Sequence, residues 1–463
     1  MQQRTWVVSY IFLDWLSGLI AWSVFFYLRK IWIEKVAFKW DENFIIGIAV
    51  VPFLWLLLYF VQGTYVEMRR MFRLKILNLT LIATIIGSIL LFFGLILDDT
   101  VNSYQDYYQS FLLVFGIHFF VAGTSRIFLT TLLVKHIRKP GNGFKTLILG
   151  GNEKACGLYK ELTQLTKNSN YVVGYCDLNG IDFQLSEYVP NLGDLKVLEE
   201  VIEKQQIEEV IIAIESSDHG RLRKLISRIN DGKVKIKILP DMFEILSGST
   251  KMSNIYGALL MEVSTEVMPF WQQTIKRFLD LFISFIAIVL LTPLYVFSAI
   301  AVKLSSPGPI FYLQERVGLN GKTFKIIKFR TMYVNAEAKG PQLSSAHDPR
   351  ITPIGRFMRK TRLDEFPQFL NVIIGQMSLV GPRPERQFYI DQIIEVEPQY
   401  LHLTRVRPGI TSWGQVKFGY AENVEQMLER MKFDLLYLKN RSLALDFKIM
   451  FYTVIIIFKA KGK

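Results

Sequence analysis

Two adjacent carboxylates stand out in the stretch RKTRLDEFPQFLNV, residues 359–372. Asp364 and Glu365 follow a cluster of basic residues and precede a proline, Pro367. A carboxylate can attack phosphorus to form a covalent intermediate, and neighbouring cations can stabilise the phosphoryl charge. The pattern is therefore compatible with phosphoryl transfer. For the acid pair alone, the favoured interpretation is the ordinary one, a solvated helix face followed by a proline turn.

Helical spacing places Arg356, Lys360 and Asp364 on one stripe, each four residues apart. Phe366 precedes a proline and is biased out of the helical region, so we expect the helix to bend or restart there. Pro367 suits the first position of a new helix. The acid pair would then lie at a helix junction, next to the positive end of the second helix.

Two separate motifs offer cations for a phosphate. KFRTM contains Lys328 and Arg330, and GPRPE contains Arg383 between two prolines. The prolines hold Arg383 on a stiff, non-helical backbone, and arginine matches phosphate by paired hydrogen bonds. These motifs favour a site over a plain helix face. Its candidate residues beside the acid pair are Lys328, Arg330, Arg359, Pro382, Arg383, Pro384 and Glu385.

The histidines and cysteines form no recognisable metal-binding or redox motif. The histidines are scattered, without HExxH or HxH spacing, so a zinc site is not expected; they are His118, His136, His219, His347 and His402. The two cysteines, Cys156 and Cys176, form no CxxC pair, which indicates reduced thiols in a cytosolic domain. Asp348 in HDPRIT could approach a cation, but a turn role is favoured.

The composition indicates a membrane protein. Of the 463 residues, 51% are hydrophobic, and the formal net charge is +13. Basic membrane proteins often owe such a charge to cytoplasmic loops and to surfaces that face anionic lipid. Nucleic acid is the rival explanation for the charge, but no nucleic-acid-binding motif is recognisable, so we expect no nucleic-acid partner.

Four apolar runs occupy the first third of the chain, at 6–28, 44–61, 76–97 and 111–134. Each is close to the ~20 residues needed to cross a bilayer. A cleaved signal peptide is not expected, because the first run is long and no small-residue cleavage site follows it. We predict four transmembrane helices within residues 1–138.

The loop charges predict the orientation of these helices. Loop 62–75 carries four basic residues, loop 98–110 carries none, and basic residues follow the fourth run. By the positive-inside rule, loop 62–75 and everything after residue 134 are cytoplasmic. Loop 29–43 has four basic residues and disagrees with this orientation.

Two charged residues, Asp14 and Arg126, lie inside the apolar runs. An intramembrane charge is a functional hypothesis by default. A structural explanation is favoured here: Asp14 is close enough to one end of its run to reach polar surroundings, and Arg126 can pair with another helix or snorkel.

Residues 139–265 indicate a separate α/β domain. Strand-like segments such as FKTLILGG and YVVGYCD alternate with helical ones such as RLRKLISRIN, which predicts a parallel, doubly wound sheet. A dinucleotide site would need G-x-G-x-x-G after the first strand, but GGNEKA at 150–155 lacks the second required glycine. Asp177 ends the second strand, where a ribose-binding acid could lie. We expect a degenerate Rossmann-like domain with a regulatory or assembly role, rather than a nicotinamide site.

Residues 278–302 form a fifth apolar run, which Pro293 interrupts. Basic residues flank both of its ends, so it shows no inside–outside asymmetry, and a proline inside a helix kinks it. A helix that enters the membrane, bends at Pro293 and leaves by the same face explains these features. A spanning helix is the alternative. We assign the re-entrant segment to residues 270–303.

Residues 304–463 are polar and punctuated by glycine and proline. IFYLQERVG and TFKIIKFR are typical of paired strands around the turn LNGK. At the C-terminus, LDFKIMFYTVIIIFKAKGK is too short to span a membrane comfortably and is typical of an interfacial helix. We expect an α+β catalytic domain in this region.

Three sequence blocks carry a resemblance to a known family. They are SPGPIFYLQERVGLNGKTFKIIKFRTM, DPRITPIGRFMRKTRLDEFPQFLNVIIGQMSLVGPRPE and RPGITSWGQV. From about Lys276 to Lys463 the chain resembles the bacterial polyprenyl-phosphate glycosyl-1-phosphate transferases, which are monotopic phosphoglycosyl transferases. The preceding part resembles that of the large members, of the undecaprenyl-phosphate galactose or glucose phosphotransferase type, which start O-antigen or exopolysaccharide synthesis.

The resemblance implies the transfer of a sugar 1-phosphate from a UDP-sugar to undecaprenyl phosphate, with release of UMP and with Mg²⁺ as cofactor. It implies that Asp364 is the nucleophile of a ping-pong mechanism and that Glu365 is its partner, with both acids at the metal. It also implies phosphate contact for Arg359 and a position near the nucleotide for Pro382-Arg383-Pro384. Pro293 matches the break in the family's re-entrant helix.

The implied fold is a multidomain membrane protein. It combines a four-helix transmembrane bundle, a Rossmann-like middle domain and an α+β monotopic catalytic domain with a re-entrant membrane helix. The implied location is the bacterial inner membrane, in contact with membrane lipid and with the catalytic domain in the cytoplasm, where UDP-sugars are found. The extra domains suggest a homodimer.

The sequence departs from many relatives in two places. RPGITSWGQV has Ser412 and Gly414 where many relatives have glycine and alanine, and the loop after KFRTM is shorter than in some O-antigen relatives. The sugar therefore stays open among glucose, galactose and an N-acetylated hexosamine.

Two other functions stay open at this point. One is a membrane-bound nucleotide-sugar dehydratase or reductase that uses the middle domain, for which bound nicotinamide would be required. The other is a non-enzymatic scaffold that recruits polymerising and exporting machinery. Normal polysaccharide output from an Asp364→Asn strain would favour the scaffold over the transferase.

Overall fold

The computed structural model describes residues 2–66, 68–96, 104–164, 169–178, 184–213, 225–226, 229, 234–239, 260–263, 268–336, 340, 348–419, 421 and 423–458. The chain divides into two compact units. The first comprises Met1–Thr146 and Gly157–Val173, and the second comprises Leu147–Cys156 and Gly174–Lys463.

Four long apolar helices form most of the first unit. They are α1 Gln2–Leu28, α2 Glu42–Val61, α3 Arg73–Leu91 and α4 Tyr104–Ile137, with π-helical turns at Arg29–Ile33 and Phe92–Ile96. α1 packs against α2 and α4, and α3 packs against α4. Each helix coincides with one of the predicted apolar runs and is long and apolar enough to cross a membrane.

A buried ion pair joins α1 to α4. Asp14 and Arg126 are fully buried, and Arg126 donates from Nε to Asp14 Oδ1 and from Nη2 to Asp14 Oδ2, both at 2.7 Å. Arg126 also donates to Thr80 at 3.1 Å, and Tyr65 donates to Asp14 at 2.7 Å. The predicted pairing of Arg126 with another helix is confirmed. The prediction that Asp14 reaches polar surroundings is wrong, because its carboxylate is satisfied inside the protein.

Loop 29–43, which disagrees with the predicted orientation, offsets part of its own charge. Arg29 lies 3.1 Å from Glu34, and Lys30 lies 2.7 Å from Glu34 and 3.6 Å from Asp41. The two basic residues nearest to α1 are therefore paired with acids of the same loop.

The middle of the chain forms a six-stranded sheet in the order β3-β2-β1-β4-β5-β6. Its strands are β1 Phe144–Leu149, β2 Asn170–Asp177, β3 Asn191–Asp194, β4 Glu209–Ile212, β5 Lys235–Ile238 and β6 Met261–Val263. Between them along the chain come α5 Glu153–Gln164 and α6 Leu198–Gln205. The β2–β3 and β4–β5 pairs are parallel, as predicted.

The sheet departs from the prediction at β3 and β6. Both strands were missed: β3, with the sequence NLGD, has one apolar side chain and no β-branched residue, and β6 is only three residues long. β6 runs antiparallel to β5 and so departs from an all-parallel sheet. The predicted helix RLRKLISRIN lies mostly outside the described residues.

The helix α7, Phe270–Ser305, continues through Pro293 for 36 residues and is apolar enough to cross a membrane. Near its start, Asp280 accepts a hydrogen bond from Ser378 Oγ at 2.7 Å. Just beyond its end, the carbonyl of Ser306 accepts one from Arg330 Nη2 at 2.6 Å. Both ends of α7 therefore contact the same folded unit.

The rest of the second unit includes a β-hairpin. Strands β7 Phe311–Val317 and β8 Thr323–Phe329 pair antiparallel, as predicted around LNGK. The later elements are α8 Pro353–Thr361, α9 Gln368–Ile374, β9 Ser378–Val380, α10 Gln387–Val396, β10 Gly409–Thr411, α11 Trp413–Lys417, α12 Val424–Lys439 and α13 Leu443–Phe458. β9 and β10 pair in parallel, and α9 packs against α7.

Replacing Asp14 by leucine should strongly destabilise the first unit, because the Arg126 guanidinium then stays buried without its carboxylate. Removing one partner of a buried ion pair costs about 3–5 kcal/mol. Adding Arg126→Met should recover most of this loss, since no unpaired charge then remains. Thermal unfolding in detergent measures the three proteins. Equal stability of wild type and Asp14→Leu would contradict the prediction.

Candidate active site

The acid pair lies on a single 3₁₀ turn, Leu363–Glu365, between α8 and α9. α8 ends at Thr361, and Arg362 adopts a left-handed conformation with φ 62°. Phe366 is helical, with φ −57° and ψ −36°. The acids lie at a helix junction, as predicted, but the break is not at Phe366, because a left-handed residue already ends the helix at Arg362.

The turn at Arg362 also removes the acids from the predicted stripe. Arg356 and Lys360 are exposed on α8, whereas Asp364 and Glu365 are 8% and 6% exposed. The prediction of one stripe is wrong, since side chains beyond a helix end no longer follow its 3.6-residue period. Pro367 stands immediately before α9 instead of at its first position.

Asp364 has a buried carboxylate whose Oδ1 meets no hydrogen-bond donor among the described residues. Burial and the neighbouring Glu365 raise the pKa of Asp364 to about 6, although Lys328 and Arg359 act in the opposite direction. The carboxylate is thus mainly ionised near neutral pH, lies close to cations, and has one oxygen that accepts no hydrogen bond from the described residues. These are the properties that a nucleophile needs.

The carboxylate of Glu365, in contrast, accepts hydrogen bonds through both of its oxygens. Its Oε1 accepts from Lys328 Nζ at 2.9 Å and from Arg383 Nη2 at 3.2 Å, and its Oε2 accepts from Arg362 Nη1 at 3.5 Å. Burial would raise the pKa of Glu365, but these three cations hold it well below its ordinary value. Glu365 therefore stays ionised and holds Lys328 and Arg383 next to Asp364.

Arg330 forms hydrogen bonds to the chain just after α7. Its Nη2 donates to the Ser306 carbonyl at 2.6 Å and to Ser306 Oγ at 3.0 Å, and its Nη1 donates to the Pro307 carbonyl at 3.0 Å. Gly308, at φ +133°, makes room for it, since a Cβ there would lie 1.9 Å from Nη1. Arg330, predicted to bind substrate, thus ties the end of α7 to the end of β8.

Arg359 reaches the acid pair because α8 lies very close to the chain after β8. A Cβ on Gly355 would come within 2.1 Å of the Thr331 carbonyl oxygen, so only glycine permits this approach. Arg359 Nε donates to Thr331 Oγ1 at 2.9 Å. From there Arg359 lowers the pKa of Asp364, against the effect of burial.

The GPRPE segment is non-helical, as predicted, and is held at both prolines. Pro382 and Pro384 are buried. The Pro382 carbonyl accepts from Gly409 N at 2.9 Å, and the Pro384 carbonyl accepts from Arg316 Nη1 at 3.2 Å. These contacts fix the backbone on both sides of Arg383.

Glu385 is a second buried carboxylate held by cations. It accepts from Arg430 Nη2 through Oε1, and from Arg316 Nη1 through Oε2 at 3.3 Å. Sequence reasoning missed both arginines. Arg316 could have been suspected as a charge inside a predicted strand. Arg430 lies 45 residues from Glu385 and in no recognisable motif, so only the fold reveals it.

These side chains line one cavity of about 330 Å³. Seven basic side chains and three carboxylates lie in the lining that the structure describes, so the cavity has an excess of positive charge that suits phosphates. From the predicted set it contains Lys328, Arg330, Arg359, Asp364, Glu365, Arg383 and Glu385. Pro382 and Pro384 are not part of this lining and support Arg383.

A metal ion would find one good ligand here. Within the described ranges, no group of three or more His, Cys, Asp or Glu residues is suitably placed to hold an ion. Mg²⁺ commonly takes one or two carboxylates together with water and substrate phosphates. The unsatisfied Oδ1 of Asp364 fits such a role, whereas Glu365 already accepts from three cations.

Asp348 takes the favoured turn role. Its Oδ1 accepts from the Arg350 backbone N–H at 3.0 Å, and its carboxylate pairs with the Arg350 side chain at 2.6 Å. Two of the other residues considered as ligands, His219 and His347, lie outside the described residues.

Comparison with known proteins identifies the last part of the chain. The family described as bacterial sugar transferase matches residues 271–460. UDP-glucose:undecaprenyl-phosphate glucose-1-phosphate transferase of Escherichia coli (strain K12) is 35% identical over 57% of this chain and 57% of its own length. Exopolysaccharide production protein PSS of Rhizobium leguminosarum bv. phaseoli is 37% identical over 39% of this chain and 94% of its own length.

The chain belongs to the bacterial sugar transferase family. This confirms the resemblance that the three sequence blocks carry, and the matched range contains every residue of the cavity lining. Another relative is UDP-N-acetylgalactosamine-undecaprenyl-phosphate N-acetylgalactosaminephosphotransferase of Aeromonas hydrophila, 38% identical over 51% of this chain and 55% of its own length. The chain thus spans a little over half the length of this relative and of the Escherichia coli one.

A family described as CoA-binding domain matches residues 54–240. This range begins within α2 and reaches just past β5, so it covers apolar helices as well as most of the sheet. The bacterial sugar transferase range begins only at residue 271. The two matches therefore separate the catalytic part of the chain from the part that precedes it.

The two adjacent acids should respond oppositely when their charge is removed. At about pH 7.5, Asp364→Asn should raise the melting temperature, because a raised pKa means that folding disfavours the ionised form. Glu365→Gln should lower it, because a depressed pKa means that folding favours the ionised form.

Thermal unfolding at about pH 7.5 and about pH 5 measures both effects. The gain in Asp364→Asn should shrink as the pH falls through about 6, where wild-type Asp364 takes up a proton. A lower melting temperature for Asp364→Asn at the higher pH would contradict the assignment of Asp364 as the disfavoured charge.

Proposed function

We propose that this protein transfers a sugar 1-phosphate from a UDP-sugar to undecaprenyl phosphate, which yields a lipid-linked diphosphosugar and UMP. The observation that carries the proposal is the Oδ1 atom of Asp364, which accepts no hydrogen bond from the described residues, at a cavity with excess positive charge. The names of two relatives, which specify glucose 1-phosphate or N-acetylgalactosamine phosphate transfer with undecaprenyl phosphate, support the reaction class. The reaction would be the first membrane step of O-antigen, capsule or exopolysaccharide synthesis.

In the first half-reaction, a carboxylate oxygen of Asp364 attacks the β-phosphorus of the UDP-sugar. An oxygen–phosphorus bond forms, the bond from that phosphorus to the oxygen of UMP breaks, and UMP leaves with the electron pair. Lys328, Arg359 and Arg383 stabilise the charge on the phosphoryl oxygens. Their placement around the acid pair supports this role.

In the second half-reaction, an oxygen of undecaprenyl phosphate attacks the same phosphorus. The bond to Asp364 breaks, and the carboxylate is regenerated. A pKa of about 6 leaves Asp364 mainly ionised at neutral pH, which supports its role as nucleophile and leaving group. Glu365 does not attack in this scheme, because it is engaged by Lys328, Arg383 and Arg362.

Mg²⁺ belongs to the proposal as the cofactor. Asp364 and Glu365 would hold it together with substrate phosphates, and the ion would supply further neutralisation of phosphoryl charge when bound. Asp364 suits this role better than Glu365, for the reason given above. A carboxylate has two oxygens, so ligation through one leaves the other able to attack.

A re-entrant course for α7 also belongs to the proposal. Contacts from Asp280 near its start and from Ser306 just past its end reach the same unit, which supports entry and exit on one side of the membrane. Pro293 offers the position for a bend. The catalytic unit would then face the cytoplasm of the bacterial inner membrane. The homodimer and the role of the Rossmann-like domain stay predictions.

Purified full-length protein should release UMP from one or more of UDP-glucose, UDP-galactose and their N-acetylated counterparts when undecaprenyl phosphate is present. In Asp364→Asn this release should fall about a thousandfold or more, because an amide does not replace a carboxylate as nucleophile. Asp391→Asn, an exposed acid on α10 that is not part of the described cavity lining, is the matched control.

The lipid dependence separates one-step from two-step transfer. Without undecaprenyl phosphate, wild-type protein should release a single burst of UMP of at most one molecule per active site. Failure of every UDP-sugar in the panel, or undiminished release by Asp364→Asn, would contradict the proposed function.

A further inference from the structure

A second, smaller cavity of about 70 Å³ lies beside the first turns of α7. None of the described residues that line it also lines the cavity of the acid pair. Its charged lining residues are Lys276, Arg277, Asp280, Arg407 and Arg441. The cavity therefore has an excess of positive charge, and its size suits one small anionic group rather than a whole nucleotide.

Lys276 and Asp280 already have partners. Lys276 donates to Asp446 Oδ2 at 2.7 Å, which joins the start of α7 to the start of α13. Asp280 accepts from Ser378 Oγ at 2.7 Å and from the Leu379 backbone N–H at 3.1 Å. Counted with Asp446, this region has four basic side chains and two carboxylates. The positive charge that remains belongs to the three arginines.

Arg277 and Arg407 come together at the C-terminal end of α9. Arg407 Nε donates to the Gly375 carbonyl at 3.0 Å, and a Cβ on Gly375 would lie 3.5 Å from Arg277 Nη2. Arg277 reaches the carbonyls of Ile373 and Met377 at 3.5 Å, which is long for a hydrogen bond. Carbonyls at a helix end attract cations, but these contacts use few of the five N–H donors of each guanidinium.

The three arginines form no ion pair with a carboxylate among the residues that the structure describes. Arg277 and Arg407 are also close enough to repel one another. Like charges held together are unfavourable until an anion neutralises them, and arginine binds phosphate by paired hydrogen bonds. The cavity that they line thus has the charge and the size for a phosphate group.

The cavity lies where two apolar helices begin. On α7, Arg277 is followed by Phe278 and Phe282, which are 64% and 52% exposed. Arg441 stands just before α13, on which Phe451 is 65% exposed. Exposed aromatic side chains suit the acyl region of a bilayer, and headgroup phosphates lie at its edge. For a helix that enters the membrane at Phe278, the arginines lie at the depth of these phosphates.

We propose that this cavity binds the phosphate of an anionic membrane lipid through Arg277, Arg407 and Arg441, with the acyl chains along the exposed face of α7. Basic pockets between membrane helices on the cytoplasmic side are typical of headgroup binding. The proposal is independent of the proposed reaction, which belongs to the cavity of Asp364. A bound lipid neutralises the arginines and fixes the depth at which α7 enters the membrane.

Two other ligands carry a similar charge, namely a free phosphate ion and the acceptor undecaprenyl phosphate. The exposed phenylalanines next to the arginines favour a lipid over the free ion, because acyl chains gain from contact with apolar surface. The acceptor has to reach Asp364, and the two cavities share no described lining residue. A lipid that is not a substrate therefore fits the second cavity best.

Native mass spectrometry of the full-length protein in detergent tests the proposal, because it counts bound lipids without turnover. Phosphatidylglycerol and phosphatidylcholine with identical acyl chains are titrated separately. The tightest phosphatidylglycerol should bind about tenfold more tightly than phosphatidylcholine, whose choline cation offsets the phosphate charge. Arg407→Gln and Arg441→Gln should each weaken that phosphatidylglycerol about tenfold, because a charge-assisted hydrogen bond is lost.

Lys432→Gln is the matched control, since it removes one positive charge from α12. The side chain of Lys432 is 63% exposed and is absent from the described lining. This variant should bind phosphatidylglycerol as wild type does. The Arg441 side chain forms no hydrogen bond with a described residue, so Arg441→Gln should keep the melting temperature of wild type in lipid-free detergent. It therefore tests the site even if Arg407→Gln does not fold.

Equal affinity of wild type for the two lipids would overturn the inference, and so would unchanged phosphatidylglycerol affinity in Arg441→Gln. Displacement of the lipid by millimolar inorganic phosphate would show a site for the free ion instead. Tighter binding of undecaprenyl phosphate than of phosphatidylglycerol, lost in Arg441→Gln, would make the cavity an acceptor site and also overturn it. Selective binding of phosphatidylglycerol by a protein that turns over no UDP-sugar would support the lipid site and contradict only the proposed function.

Discussion

The site depends on a difference in hydrogen bonding between two neighbouring carboxylates. Glu365 accepts hydrogen bonds from three cations, whereas Oδ1 of Asp364 accepts none from the described residues. Glu365 therefore holds these cations beside Asp364, while Oδ1 of Asp364 forms no hydrogen bond with them. Burying an ionised carboxylate that lacks a donor is unfavourable, and the rest of the fold must supply the free energy for it. Such local cost is typical of a reactive group.

The elements around the acid pair maintain this difference. The left-handed residue Arg362 ends α8 and brings both acids into the cavity. β8 carries Lys328, and the buried prolines of GPRPE fix Arg383. Arg330, at the end of β8, holds the chain that follows α7. Lys328, beside the acid pair, and the contact to the chain that follows α7 thus belong to one strand and its end, which links the site to α7.

Much of the site could be predicted from the sequence, because its chemistry is carried by residue types in short motifs. Asp364, Glu365, Lys328 and Arg383 are brought together as expected. The exact backbone was not predictable. The bias of a residue before proline predicted the break at Phe366, but the chain turns at Arg362, which is left-handed. Arginine rarely adopts this conformation, so its residue type did not predict the turn.

Contacts between distant segments were beyond sequence reasoning. The pairing of Glu385 with Arg430 depends on where α12 packs, and the role of Arg330 depends on the path of the chain after α7. The position of Asp14 near the end of its apolar run predicted polar surroundings. Instead, Asp14 is buried and pairs with Arg126, which is fully buried on another helix. Tertiary packing, which has no local signature, determined each of these outcomes.

The most direct test of the account is whether a phosphosugar becomes attached to Asp364. Full-length protein is incubated with a UDP-sugar and no undecaprenyl phosphate, quenched, digested and examined by mass spectrometry. The account predicts a hexose phosphate on the peptide that contains Asp364, its loss when undecaprenyl phosphate is added, and its absence in Asp364→Asn. A phosphosugar on a different residue, or lipid-dependent turnover with no modified peptide at any time, would contradict it.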